Sequence, residues 1–383
     1  MGVIYKPGLE GVIAAITSIS DIEPERGELS YRGYDINVLA KQSCYEEVAF
    51  LLLYCRLPEP DEFELFCNDL SRNREIPKEL IEALRPAASG AHPMDMLRTS
   101  VAFLGMVDPE ARDLSRETLF RKSIRTIAKL PTVIAANYRL SQGHEPISPM
   151  RQLTHAQNFL YMLSGYGPDE DAVSVLDKVL ILYAEHESDV SSFTARVVAS
   201  SSTDYHSAIT ASIGSLKGRL HGGANEHAMQ MLQSIGEVDR AEEWILDALA
   251  RKQRIMGFGH RVYKNGDARA RIMKELSREL AEKLGDMHWH FLCEKIEEIV
   301  LREKRMRHNL DFYAGPILNL LGLPAELSTT VFATGRIAGW SAHIIEQLDS
   351  NRLIRPRFEY QGPKNLSYQL IDSRNSLRKA PAA

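Results

Sequence analysis

The stretch G214-S-L-K-G-R-L-H-G-G-A-N225 sets a single histidine, His221, between glycines at the entrance to a helical segment. Two later stretches answer it. G257-F-G-H-R-V-Y263 carries His260, and N309-L-D-F-Y-A-G315 carries Asp311. Two imidazoles and a carboxylate can polarise carbonyl oxygens and remove a weakly acidic C–H proton. Glycines around them let the backbone approach a ligand closely. The text between these stretches is helical in period: apolar residues recur for one face of a helix at roughly 224–235, 240–254, 268–284 and 289–305.

Working outward, the same rhythm covers about 77–85, 94–106, 115–140, 152–164, 169–186, 189–200, 203–216 and 325–348. Pro131 falls inside the third of these and predicts a kink or a split. Ser43 and Glu46 form a capping-box pattern ahead of Val48, Leu51 and Leu52. Strand signals occur only near the start, at Gly11–Ile16 and Glu28–Tyr31. No strand–helix alternation is present, so a parallel-sheet fold is disfavoured and an all-α class with a minor β element is expected.

Composition bounds the function. With 383 residues, 44% hydrophobic and 25% charged, the chain can bury a large core, and its length suggests two domains. A net charge of −5 gives no basic excess for nucleic acid. Cys44, Cys55, Cys67 and Cys293 form no CxxC pair, which points away from disulfides and towards a reducing compartment. The longest apolar run, Val48 to Cys55, is too short to span a bilayer. The opening MGVIYKPGLEG has no leader pattern. A cytoplasmic protein without membrane or nucleic-acid partners is expected.

Two nucleotide-loop readings fail. G218-R-L-H-G-G-A224 has Ala224 where a phosphate loop needs lysine, and G257-F-G-H-R-V262 has Val262 where the dinucleotide fingerprint needs its third glycine. A zinc site is not indicated either. His288, His290 and His308 lack ligand spacing, and His186–Glu187 meets Val190 where HExxH needs its second histidine. Alone, His221 reads equally as a polar turn residue, and Asp311 as a helix N-cap.

Taken together, L216-K-G-R-L-H-G-G-A-N-E226, M256-G-F-G-H-R-V-Y-K264, N309-L-D-F-Y-A-G315 and G335-R-I-A-G-W-S-A-H343 resemble the citrate synthase family, including 2-methylcitrate synthase. The similarity runs from Gly8 to Pro363. It implies a two-domain helical fold, here 1–220 and 322–383 around an inserted small domain, 221–321. It also implies an acyltransferase of the tricarboxylic acid cycle, condensing acetyl-CoA with oxaloacetate through citryl-CoA. No metal or redox cofactor is implied, and acetyl-CoA is a substrate.

Position by position, the resemblance makes His221 the donor to the thioester carbonyl, Asp311 the base and His260 the group that polarises the keto acid. His186, Arg269, Arg336 and Arg355 would bind oxaloacetate, the last across a homodimer interface. Arginine suits that task because its planar fork pairs bidentately with carboxylates. The backbone of Arg254, Ile255, Met256, Gly257 and Phe258 would receive CoA. Two residues depart from the family pattern: Asp189 stands where asparagine is usual, and Arg219 replaces a common proline. Asp189 is expected to set a negative charge near His186 and the dianionic substrate.

Overall fold

One helix, Ser328–Asp349, is buried along nearly its whole length and organises the rest. Helices Tyr45–Tyr54, Arg116–Ser141, Glu170–Tyr183, Val190–Ala199 and Tyr205–Leu216 all pack on it. Its sequence explains how so many neighbours fit. Gly335 faces Leu180 and Tyr183 so closely that a Cβ there would lie 2.7 Å from the Leu180 carbonyl oxygen. At Gly339 a Cβ would stand 2.4 Å from the Ala184 oxygen, which accepts a hydrogen bond from the Gly339 amide. A β-carbon at either position would force the packed helices apart. Trp340 and Arg336 are the largest side chains that this helix buries completely.

The structure, a computed structural model, describes residues 5–376. Among these are sixteen α-helices and three short strands, as the all-α reading expects. Ser20–Glu23, Glu28–Tyr31 and Tyr34–Asp35 form one antiparallel sheet in sequence order, with Ser20 opposite Tyr31 and Ser30 opposite Asp35. Tyr31 is fully buried and its hydroxyl donates to the Glu185 carbonyl at 2.9 Å, which ties the sheet to the turn before His186. Residue contacts place everything up to Leu353 in one unit and the chain from Ile354 in another. Residues 354–370 are irregular, and a 3₁₀ turn follows at Ile371–Ser376.

Three local expectations are corrected. Gly11–Ile16 is not a strand: it pairs with no described segment, and Ile13 and Ile16 are exposed. The Ser43–Glu46 capping box does not form. Cys44 is the N-cap of Tyr45–Tyr54, and the Tyr45 amide donates instead to Asp177, 132 residues away, at 3.1 Å. Glu46 turns inward to accept from the His155 amide at 2.7 Å. Pro131 does not split its helix, which runs unbroken over Arg116–Ser141. The remaining periodic stretches are helices within a few residues of the expected bounds, and Ile36–Gln42 is a helix that periodicity did not indicate.

Candidate active site

The three proton-handling stretches meet at one cavity of ≈1280 Å³, and the reason is visible in the backbone. The loop before His260 is stitched to the segment before Asp311. The Gly259 amide donates to the Arg307 carbonyl at 3.0 Å and the Asn309 amide to that of Gly257 at 2.9 Å. Asn309 then caps helix Leu310–Leu320, its side chain accepting from the Asp311 amide and donating to the Gly259 carbonyl. Gly257 and Gly259 have φ of 80° and 78°, and a Cβ on Gly257 would strike the Phe312 ring at 2.7 Å. Only glycine allows that turn and that approach together.

His260 is held in a defined state. Its Nδ1 accepts from the Val262 and Tyr263 amides at 3.1 and 3.2 Å. Both donors are backbone N–H groups, so the single proton of the neutral ring sits on Nε2. Burial, reinforced by the Arg269 charge, pulls the imidazole down to about 4. Neutral at physiological pH, it is a donor from Nε2. His186 packs edge-on against it with ring centroids 5.2 Å apart, and its Nε2 lies 3.2 Å from the Tyr263 hydroxyl. Burial and the neighbouring Arg269 and His260 hold His186 well below the usual imidazole range. Glu187, at φ 52°, turns the chain sharply after it.

Asp311 lies in the first turn of its helix, where the N-terminal dipole favours a carboxylate. It is not the N-cap, a place that Asn309 takes. Withdrawal from water outweighs the dipole and the nearby Arg269, His221 and Arg336, and pushes the carboxyl up to about 7. A carboxylate with that affinity is a much better base than an ordinary one.

His221 sits on the turn ahead of helix Gly223–Ile235, its amide donating to the Gly218 carbonyl at 2.8 Å. Its Nε2 lies 2.8 Å from Ser191 Oγ and 3.1 Å from Asp189 Oδ1. Two guanidiniums complete the wall. Arg269 is buried and binds Asp267 through two N–H groups, Nε to Oδ1 at 3.0 Å and an Nη to Oδ2 at 2.6 Å. Arg336, 1% exposed, donates to the Tyr183 carbonyl and pairs with Asp189.

His186, His221, His260, Arg269, Asp311 and Arg336 thus line one cavity, and Arg254, Ile255, Met256, Gly257 and Phe258 line it too. Arg355 belongs to the separate unit and is exposed there. Asp189 contacts Arg336 and His221 directly, and its charge also acts on His186, as expected. Sequence reading passed over Asp267, Tyr263 and Ser191. Asp267 had a signal, standing two residues before Arg269 at a helix start. Ser191 had none, because its contact spans 30 residues. Donor atoms of His186, His260 and Asp267 fall within 4.8 Å of one another, but Asp267 is engaged by Arg269 and His260 Nδ1 by two amides.

Known proteins match this chain along almost its full length. The family model for the citrate synthase C-terminal domain matches residues 8–357. Citrate synthase 2 of Bacillus subtilis is 45% identical over 96% of this chain and 98% of its own. A citrate/2-methylcitrate synthase of the same organism is 40% identical over 94% and 97%. Among solved structures, citrate synthase from Thermoplasma acidophilum, in a ternary complex with carboxymethyl coenzyme A and oxaloacetate, superposes with a TM-score of 0.91. It is 30% identical, over 96% of this chain and 98% of that one. With this fold, this cavity and this similarity, the chain belongs to the citrate synthase family.

Proposed function

We propose that the protein is a citrate synthase that condenses acetyl-CoA with oxaloacetate to citryl-CoA and hydrolyses that intermediate to citrate and CoA. The observation that carries the reading is the convergence of His221, His260 and Asp311 with two buried arginines on one cavity. Oxaloacetate lies against Arg269, Arg336 and His186, and the Nε2–H of His260 donates to its keto oxygen. Asp311 takes a methyl proton from the thioester while His221 donates to the thioester oxygen. The enolate carbon attacks the keto carbon, and His260 supplies the proton that the new alkoxide takes. CoA runs along the backbone from Arg254 to Phe258. The name of the Thermoplasma complex supports both substrates, since that relative holds oxaloacetate and a CoA analogue.

The chemistry favours a two-domain working cycle. Residues 221–321 carry His221, His260, Arg269 and Asp311, whereas His186 and Arg336 belong to the flanking portions, 1–220 and 322–383. Closure of the smaller part on the larger excludes water from the enolate. A homodimer supplies Arg355 of one subunit to the site of the other. The cytoplasm and the tricarboxylic acid cycle are the proposed setting, and no metal or redox cofactor takes part.

The acyl group is the open choice within this reading, because a close relative is named for both citrate and 2-methylcitrate. One extra methylene changes selectivity by about 1–3 kcal/mol, so either thioester fits the same apparatus. Thiol release with oxaloacetate, compared for acetyl-CoA and propionyl-CoA, decides it. A kcat/KM favouring acetyl-CoA is expected; a preference for propionyl-CoA would make the protein a 2-methylcitrate synthase. Release from neither would reject the function.

A further inference from the structure

Tyr263 touches both histidines proposed to meet the keto acid. Its amide is one of the two donors to His260 Nδ1, at 3.2 Å, and its hydroxyl lies 3.2 Å from His186 Nε2. The three rings pack together, with centroids 4.6 Å apart for His260 and Tyr263 and 5.5 Å apart for His186 and Tyr263. His186 and His260 line the cavity, whereas Tyr263 is buried and does not. The small sheet anchors both sides of this contact. The Lys264 amide donates to the Pro24 carbonyl at 3.3 Å and the Ala268 amide to that of Gly27 at 3.0 Å, which holds the loop after Tyr263 against the turn between strands Ser20–Glu23 and Glu28–Tyr31. On the other side, the Tyr31 hydroxyl donates to the Glu185 carbonyl and the Glu187 amide to Ser20 Oγ, at 2.9 and 3.0 Å, fixing the backbone before and after His186.

The hydrogen bond between Tyr263 and His186 has two possible directions, and the protons available decide between them. A neutral imidazole has one N–H and a phenol one O–H. Burial, helped by Arg269, His260 and Arg336 against a smaller pull from Asp189, keeps His186 neutral. Burial likewise raises the Tyr263 hydroxyl, which keeps its proton. If Nε2–H donated to the phenol oxygen, the buried O–H would have no acceptor among the described residues. A buried donor left unpaired is costly. The ring would also turn a bare Nδ1 on the ligand. That atom makes no hydrogen bond among the described residues, is not shut away from solvent, and belongs to a ring that lines the cavity. With the O–H donating to Nε2, the phenol is satisfied and the single ring proton sits on Nδ1. A dianion offers acceptors only, so an N–H attracts it where a lone pair would repel it.

We propose that Tyr263 is a positioning residue whose hydroxyl donates to His186 Nε2 and keeps the ring proton on Nδ1, where it donates to oxaloacetate. This rests on the citrate synthase reading of the site. The amide of the same residue, with that of Val262, holds His260 in the opposite tautomer, with Nδ1 accepting and Nε2–H left as the donor. One side chain and its own backbone thus set two neighbouring rings in opposite senses. No proton changes hands between Tyr263 and His186, so the hydroxyl acts on binding of the keto acid and not on the chemical step.

The test is imidazole nitrogen NMR on the full-length protein with ¹⁵N-labelled histidine, the signal of His186 assigned by its loss in His186→Gln. At pH 7 the wild type should carry its His186 proton on Nδ1, and in Tyr263→Phe the Nε2–H form should appear. Kinetics add a second readout. Tyr263→Phe keeps the ring and the amide, so KM for oxaloacetate should rise roughly tenfold while kcat and KM for acetyl-CoA stay near wild type. A wild-type His186 with its proton on Nε2, or a Tyr263→Phe spectrum identical to it, overturns the proposal. So does a lowered kcat with the oxaloacetate KM unchanged, which would make Tyr263 a support for His260 alone. If Tyr263→Phe does not fold, the wild-type spectrum still decides. A wild type that releases no CoA from either thioester would defeat the citrate synthase reading while leaving the spectrum to judge Tyr263.

Discussion

Asp311 carries two opposed demands at the scale of a single residue. The cavity in which it is proposed as the base also withdraws it from water, and its carboxyl rises to about 7 from an ordinary 3.8. A carboxyl raised on folding destabilises the native state wherever it must be ionised, and the cost is relieved as pH falls through 7 towards 4. Asp311→Asn is therefore expected to raise Tm at pH 8, with the gain fading by about pH 4, where both forms are uncharged at this site. Thermal melts of both proteins across that range check it; a gain that grows towards acid would reverse the sign and refute the assignment. Its candidacy as base came from the resemblance of N309-L-D-F-Y-A-G315, but its raised affinity was not legible, because the burial that raises it, against the opposing charges of Arg269, His221 and Arg336, comes from the fold. The same holds for Asp189. Its place in the sequence marked it as a charge near the substrate; its pairing with Arg336, 147 residues on, could only come from the fold.

At the scale of the element, helices were legible because most bury one periodic face, and their ends were not because the ends use distant partners. Helix Tyr45–Tyr54 is the clearest case. Ser43 and Glu46 spell a capping box, yet Ser43 donates to Glu47 at 2.5 Å and Asp177 receives the first helical amide. Asp177→Ala should lower stability by about 1 kcal/mol, the usual worth of a cap, whereas Ser43→Ala should cost a few tenths at most. Denaturant titration of the two variants distinguishes them, and equal losses would restore the local box. Gly257 makes the complementary point. Alanine there must hold φ near 80° and place its Cβ 2.7 Å from the Phe312 ring. Gly257→Ala should weaken CoA binding at least tenfold, as read by KM for acetyl-CoA, because the strand of backbone from Arg254 to Phe258 must shift. The strand expected at Gly11–Ile16 but not formed has the opposite cause: the residues suit a strand but pair with no described segment.

At the scale of the whole molecule, the proposed homodimer adds symmetry. If Arg355 serves the partner's site, Asp311→Asn and Arg355→Ala lesions fall on one site of a mixed dimer and leave the other intact. Co-refolding the two inactive variants should return roughly a quarter of wild-type activity, since about half the dimers are mixed and each has one good site. No recovery, with mixed dimers confirmed by native mass spectrometry, would place Arg355 in its own subunit's site. The division into 1–220, 221–321 and 322–383 is tested at the same scale by solution scattering with and without oxaloacetate, which should register a more compact enzyme when the ligand is bound. The central claim is that Asp311 begins the condensation by taking a proton from the thioester methyl. Its most direct test measures thiol release from acetyl-CoA and oxaloacetate by Asp311→Asn, beside calorimetric titration of oxaloacetate into the same variant. The account predicts a rate lower by about a hundred- to ten-thousand-fold with oxaloacetate still bound; near-normal turnover in Asp311→Asn would contradict it.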